Sequence, residues 1–577
     1  MFKENKRHLQ PYLISNVNDL PEKQRKLLDA SWSGVFHREF FCRIDEQAFD
    51  VLYADFPSRP NAPINELVSL EFLKVGNDWT DEEVYHHYLF DLQTRHALGL
   101  DQIGEAHFEL RTAYNFRQRL SQYMQEEGIN LLDKAFEQVT DEQIAAFGVK
   151  TGKQRMDSTL LASNIRHMGR LQLLVEVLQR TQRMLNEDEQ AQYAEVFAPY
   201  IQGHAGQYIY RLKRDDYASH MQQIGTVMQR LLVELRPAHG KDSAYLVLER
   251  VFGEHFKVET ETVTAKEAKE LSASSLQSPD DLEATYREKR GVGYQGYVAN
   301  LSETCDPENP FQLITKVQTA SNVTDDSQLL AEALPNLKER TGLETIYTDG
   351  GHGGPLADVA LQEQHVEQIQ TAIRGRSPNP DKLHLADFAI KLNENGKPVK
   401  ITCPREQTVP VQTSSQQKAF VAHFAVEVCS TCPLVGKCPA QPGQRDPRHH
   451  LRFTQAEAHA SERRQRSHEQ HKEGRNLRTA VEATVRSVKH PFPAGKLPVR
   501  GKFRVACMLI GSAAVSNLRR IQRYQAVQNE GEKQPKSARS GQGNASKTAA
   551  PSLFGFVCAL LSRLLQPALV SRPVLGC

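Results

Sequence analysis

The sequence predicts an α/β protein in which a mixed sheet flanked by helices follows a helical region and is interrupted by a helical insertion. Three observations predict it. Residues up to about 144 contain few glycines and repeat apolar residues at helical spacing, as in NELVSLEFLK (Asn65–Lys74). Short β-type runs follow, and two of them lead to aspartates: AAFGVKTGKQRM, from Ala145 to Met156, delivers Asp157, and LETIYTDGG reaches Asp349. Between these runs, from about Arg170 to Leu235, the 3.6-residue period returns, with Leu171, Leu174, Val175 and Leu178 on one face of LQLLVEVLQR.

Within the helical N-terminal region, residues 1–144, the stretch FELRTAYNFRQRLSQYMQEEG (Phe108–Gly128) interleaves aromatic residues with Arg111, Arg117 and Arg119. That pattern suits either a bundle packed on the rest of the chain or a DNA-recognition module. The α/β region is expected over 145–525, with the helical insertion at about 166–290. Two further strands are expected near Gly296–Leu301 and Phe311–Thr319, followed by a helix, DDSQLLAEALPNLKER, that Asp325 or Asp326 can cap. From Gln528 to Ala550 the composition turns to Gln, Lys, Ser, Gly and Ala without periodicity, so 526–577 is expected to be a flexible tail.

Charge is unevenly spread. The chain has a net charge of +1, yet between Arg445 and Arg523 there are 18 Lys/Arg against 6 Asp/Glu. A basic block in a balanced chain suits a phosphate-backbone partner, because each neutralised phosphate releases condensed counterions. The opening MFKENKRHLQ does not have the plan of a secretory signal, and the apolar stretch Phe554–Val570 is broken by Ser562, Arg563, Gln566 and Pro567. A cytoplasmic protein without a membrane span is therefore expected. Nine cysteines, four of them clustered, fit a reducing compartment better than a disulfide framework.

Metal-assisted phosphoryl transfer needs carboxylates from separate elements that converge on two cations about 3.5–4 Å apart. Asp157 and Asp349 are candidates, both expected at the C-terminal ends of strands, where open α/β sheets bind ligands. Taken singly, each is also an ordinary strand-end turn former. The third candidate is Glu482. Read as one helix, GRNLRTAVEATVRSV (Gly474–Val488) puts Arg478, Glu482 and Lys489 on one face, with Arg475 at its edge and an apolar stripe of Leu477, Val481, Val485 and Val488 beside it. In isolation, Arg478 and Glu482 would be an i,i+4 pair worth about 0.3–0.5 kcal/mol.

With these residues in place, the chain resembles the DDE transposases of bacterial insertion sequences. The resemblance rests on MDST around Asp157, YTDGG around Asp349, and NLRTAVEATVRSVKHPF around Glu482. The last contains Arg478, three residues, Glu482, six residues, and Lys489, which fits the family's Arg-(3)-Glu-(6)-Lys signature. Where the family often has a tyrosine, this chain has Arg475. The resemblance runs from the helical N-terminal region to about Arg523. It implies a ribonuclease H-like catalytic fold and Asp157, Asp349 and Glu482 as ligands of two Mg2+ or Mn2+ ions. It also implies Arg478 and Lys489, with Arg475 nearby, on DNA phosphate. The implied activity is metal-dependent cleavage at element ends, followed by strand transfer into target DNA. The partners would be double-stranded DNA and further copies of the chain, as a dimer or larger oligomer, in the nucleoid of a bacterial cytoplasm. A repurposed transposase that binds DNA without cutting it, and a nuclease that cuts without joining, are the alternatives.

Cys403, Cys429, Cys432 and Cys438 form C-x25-C-x2-C-x5-C, a spacing compatible with a structural zinc ion; His449 or His450 could replace one ligand. Other motifs point nowhere. DGGHGG lacks the lysine of a phosphate loop, HEQH at His468–His471 is one residue short of H-E-x-x-H, and there is no G-x-S-x-G. His352, within DGGHGG, reads as a turn residue that could approach the metal site.

Overall fold

The computed structural model describes residues 1–533 apart from 11–14, 55, 58, 101, 103–106, 260–261, 373–378, 394–395, 415–418, 444–445, 474–476 and 490–495; of 470–473 and 530–533 it describes the backbone alone. The chain divides into two units, Met1–Ala526 and Val527–Cys577. The protein is mixed α/β. Its strands, in chain order, are β1 (Lys153–Ala162), β2 (Phe256–Glu259), β3 (Thr262–Ala265), β4 (Thr285–Lys289), β5 (Val292–Thr304), β6 (Ile314–Ser321), β7 (Thr345–Thr348) and β8 (Glu367–Gln370). A later set comprises β9 (Ala389–Leu392), β10 (Pro398–Thr402), β11 (Thr408–Thr413), β12 (Phe420–Phe424), β13 (Gln441–Pro442) and β14 (His449–Phe453).

The main sheet runs β4-β5-β1-β7-β8, and β6 also pairs with β5. β5 is antiparallel to β1, β4 and β6, whereas β7 is parallel to β1 and β8 to β7. Parallel neighbours need crossovers, and helices supply them. Helix Asp326–Thr341 precedes β7 and helix Pro355–Glu363 links β7 to β8. Asp325 caps the first of these, its side chain accepting the Ser327 N–H.

Side-chain alternation along β1 assigns the two faces of the sheet. Met156 packs with Leu330, Leu334 and Ile346 under the crossover helices. Leu161, on the opposite face, joins a core that also holds Phe40, Phe72, Phe136, Leu301, Leu509 and Ile521. That core draws together the helices between Glu22 and Phe147, the sheet, and the last helix, Lys502–Lys533. The last helix continues into the stretch expected to be a linker, because QNEGEK is built largely of helix-compatible residues. The rest of the predicted tail, 534–577, lies outside the described residues.

Between β1 and β4 the helices from Arg170 to His255, with the β2–β3 hairpin, bury a core of their own around Leu174, Leu178, Met228 and Leu248. A second, fully antiparallel sheet, β13-β14-β12-β11-β10-β9, occupies residues 389–453 around Phe388, Ile401, Phe424 and Leu451. The sequence reading saw only cysteines in this stretch. The missed signal is period-two alternation in PVKIT, FVAHF and HHLRF. Among the described residues no helix is long and apolar enough to cross a membrane.

Candidate active site

The first aspartate is placed differently from expectation. Helix Leu131–Phe147 takes up the start of the run expected as a strand, and Gly148, with φ of 60°, closes it in the left-handed region. β1 then begins at Lys153, so Asp157 is fifth of ten residues rather than at the strand's C-terminal end. Leu160 and Leu161 explain the continuation, since each still finds an apolar partner on its own face of the sheet.

Register brings the second aspartate alongside. β1 and β7 pair in parallel with Arg155 opposite Tyr347. Two residues further on, Asp157 and Asp349 occupy equivalent positions on neighbouring strands, which lie about 4.8 Å apart. Asp349 immediately follows β7 and caps the turn Gly350–His352, its Oδ1 accepting the Gly351 N–H at 2.9 Å. His352 is fully buried, and its Nδ1 donates to the same oxygen at 2.8 Å. Its Nε2 lies 3.3 Å from Asn300 Oδ1, and the Asn300 amide nitrogen donates to Gln318 at 2.7 Å. This turn histidine is therefore a positioning residue that aims Asp349. Histidine-to-alanine at 352 should weaken metal-dependent activity about 10–100-fold, as loss of an outer partner of a ligand does. Unchanged metal dependence in a Mn2+ titration of the variant would exclude that role.

The stretch expected as one helix is broken. Helix Gln455–Glu473 and helix Val481–Lys489 are separate, and Arg478 and Thr479 lie in the turn that leads into the second. Glu482 thus stands in a first helical turn, its side chain 64% exposed. Arg478 still reaches it, Nη1 to Oε1 at 3.5 Å, while Nη2 lies 3.2 Å from Asp157 Oδ1. The guanidinium therefore stands between the strand aspartate and the helix glutamate. Lys489, at the far end of the helix, donates to Thr159 Oγ1 at 3.0 Å and to the Leu160 carbonyl at 3.2 Å. Val481, Thr484 and Val488 are buried beneath the helix, whereas Val485 and Leu477 are partly buried. Arg475 lies outside the described residues.

Behind this helix is a buried ionic network that sequence reasoning missed. Glu303 of β5 is wholly buried. Its Oε1 accepts from Arg155 Nε at 2.6 Å, and its Oε2 accepts from Thr484 Oγ1 at 2.7 Å and Arg520 Nη1 at 2.9 Å. Arg155 also donates to the Leu477 carbonyl at 2.9 Å. One carboxylate thus joins β1, β5, the approach to Arg478, the Glu482 helix and the last helix. No local motif announces it, because its partners are 148 and 217 positions away.

A fourth carboxylate borders the site. A Cβ on Gly351 would lie 2.7 Å from Asp326 Oδ2 and 3.1 Å from Asp349 Oδ1, so a glycine is needed for both to approach the turn. Asp326 Oδ1 is buried without a hydrogen-bond partner. Hard oxygen donors of this kind suit Mg2+ or Mn2+.

The aspartates are tuned apart. Burial raises the pKa of Asp157, Arg478 opposes the rise and the Asp349 charge adds to it. Burial works against ionisation of Asp349 too, but the His352 hydrogen bond and charge, Arg478 and the Gly351 N–H outweigh it and hold the group at about 2, below its ordinary 3.8. A depressed carboxyl contributes stability above its unfolded pKa and loses it as pH falls through the folded value. In EDTA, denaturant midpoints should therefore fall between about pH 4 and 2 through Asp349, and Asp349→Asn should flatten that slope. An equal slope in the variant would show that Asp349 is not the group responsible.

Arg117, expected among candidate DNA contacts, is otherwise engaged. Its Nη2 lies 2.6 Å from Glu71 and 2.8 Å from Asp81, because helix Leu110–Glu127 turns that residue inward against two acids. Arg111 and Arg119 are exposed.

The four cysteines share one neighbourhood of the second sheet, where Cys429 interacts with the other three. Burial comes first among the causes that raise the Cys429 and Cys438 thiol pKa values. No three of these thiols lie within 4.8 Å of one another. Among the described residues the set of three metal-capable side chains with donor atoms within 4.8 Å of one another is His423, Asp446 and His450.

Register sets Asp157 beside Asp349, and Arg478 links Asp157 to Glu482 of the following helix. Residues 402–522 match the family model of the transposase DDE domain. This stretch is thus similar to the DDE domain of transposases. The match includes Glu482, Arg478 and Lys489 and leaves Asp157 and Asp349 outside it. No curated protein and no solved structure matches the chain.

Proposed function

We propose that this protein is the transposase of a bacterial insertion sequence, cutting DNA at the element's ends and joining the freed ends to target DNA. The observation that carries the proposal is the parallel β1–β7 register that sets Asp157 beside Asp349, with Arg478 reaching both Asp157 and Glu482. The order β6-β5-β1-β7-β8, with its antiparallel and parallel pairings, supports a ribonuclease H-like catalytic fold.

In this reading Asp157, Asp349 and Glu482 hold two Mg2+ or Mn2+ ions, and Asp326 is near enough to support them. Bound there, such ions supply Lewis-acid stabilisation of the attacking and leaving oxygens. His352 keeps the Asp349 carboxylate aimed at the site. Arg478 balances the acids until phosphate enters, then turns to the backbone near the cleaved end. Lys489 and Arg475 extend that cationic surface. Burial raises the pKa of Asp157, and positive charge entering the site would favour its carboxylate form. Water first attacks the end phosphodiester, and the resulting 3′-hydroxyl attacks the target in line. No side chain needs to act as a nucleophile. Residues 1–144 would recognise the ends, with Arg111 and Arg119 available on the surface, and two or more copies would hold paired ends.

Purified protein incubated with end-bearing duplex and Mg2+ tests the proposal. Nicked and joined products are expected. Binding without nicking would support the repurposed DNA-binding protein, and nicking without joining would support a nuclease.

A further inference from the structure

We propose that His423, Asp446 and His450 form a second metal site, for a divalent transition ion such as Zn2+, Ni2+ or Co2+, in the antiparallel sheet and separate from the acidic centre. His423 on β12 pairs directly with His450 on β14, so both imidazoles leave the same face of the sheet. Their ring centroids are 4.5 Å apart at an interplanar angle of 86°, an edge-to-face approach. One donor atom from each histidine and one Asp446 oxygen lie within 4.8 Å of one another.

The rings have unmet bonding capacity. His423 Nδ1 and His450 Nε2 are buried and have no hydrogen-bond partner, a costly state for a polar atom unless something binds there. Asp446 Oδ2 is 3.4 Å from His450 Nε2, short of good hydrogen-bond geometry but near the separation of two ligands on one ion. A Cβ at Gly443 would lie 2.8 Å from His450 Nε2, so glycine keeps that nitrogen accessible.

Asp446 has other partners, and they fit the role. Arg448 Nε lies 2.8 Å from Oδ2 and 3.0 Å from Oδ1, Nη2 lies 2.5 Å from Oδ2, and the Arg448 N–H is 3.1 Å from Oδ1. A carboxylate has about four acceptor positions, so Arg448 can orient it while one position faces the ion. Two imidazoles and one carboxylate select borderline transition ions over Mg2+, and three protein ligands leave a fourth position for water or another residue. Such an ion would clamp β12 to β14 and hold Asp446 against both.

The test counts metal on the full chain after equilibration with Zn2+ and dialysis. His423→Ala/His450→Ala should retain one zinc equivalent fewer than the unaltered protein, whereas Cys429→Ser/Cys432→Ser should keep the histidine-bound equivalent. Equal zinc in the histidine variant and the parent would overturn the site. If the double variant loses its circular dichroism, Asp446→Asn decides. Its affinity for that zinc should be about tenfold weaker or worse, and an unchanged titration would likewise refute the assignment.

Discussion

Asp157→Asn, Asp349→Asn and Glu482→Gln should each reduce Mg2+-dependent cleavage and joining of end DNA by about 10³-fold or more, with DNA binding retained. The magnitude follows from what the metal site supplies. Lewis-acid stabilisation by bound ions is worth several kcal/mol, and each 1.36 kcal/mol is tenfold in rate. Each replacement is nearly isosteric and removes one negative charge from a group of acids whose members already repel. Folding should therefore survive, although Asp349→Asn gives up near neutral pH the stability that its depressed carboxyl contributes. Single-turnover cleavage, run beside a mobility-shift assay, measures both quantities on one preparation. A variant that cleaves at the parental rate removes its residue from the proposed site.

The second large effect concerns a residue that touches no substrate. Glu303→Ala should destabilise the protein by about 3–5 kcal/mol, the usual cost of removing one partner from a buried ionic cluster. Arg155 and Arg520 would be left facing one another's charge in the interior, and Thr484 would lose its acceptor. Glu303→Gln keeps the shape and some hydrogen bonds and should cost less. Denaturant unfolding of both variants tests this: a change within about 0.5 kcal/mol for alanine would mean that the network is dispensable. Since Arg155 also holds the Leu477 carbonyl, end cleavage should fall more than folding alone explains.

Much of the candidate site was legible in the sequence because its residues sit in short motifs. MDST, YTDGG and the Arg478–Glu482–Lys489 spacing carry their residue types openly, and strands near 296–301 and 311–319 and the helix after Asp325 lie where patterning puts them. What escaped was relational. Asp157 looked like a strand end because the run before it contains a glycine-closed helix, and helical and strand-like apolar residues are indistinguishable over a few positions. The Glu482 segment looked like one continuous helix, since nothing in GRNLRT forbids helical backbone. Arg117 looked free until its helix was seen against Glu71 and Asp81. Glu303, His352 and the His423–Asp446–His450 group act through partners remote in sequence or across strands, and no spacing rule reveals them.

The parallel pairing of β1 with β7 has a consequence for how the molecule is made. The central strand leaves the ribosome roughly 190 residues before its parallel partner, an interval of about 10–40 s at ordinary elongation rates. During that time a nascent chain holds one flank of β1 unsatisfied, and the greasy seam that includes Leu509 and Ile521 waits longer still for its closing segment. Copies ending prematurely would therefore be left open to proteases instead of persisting as stable fragments.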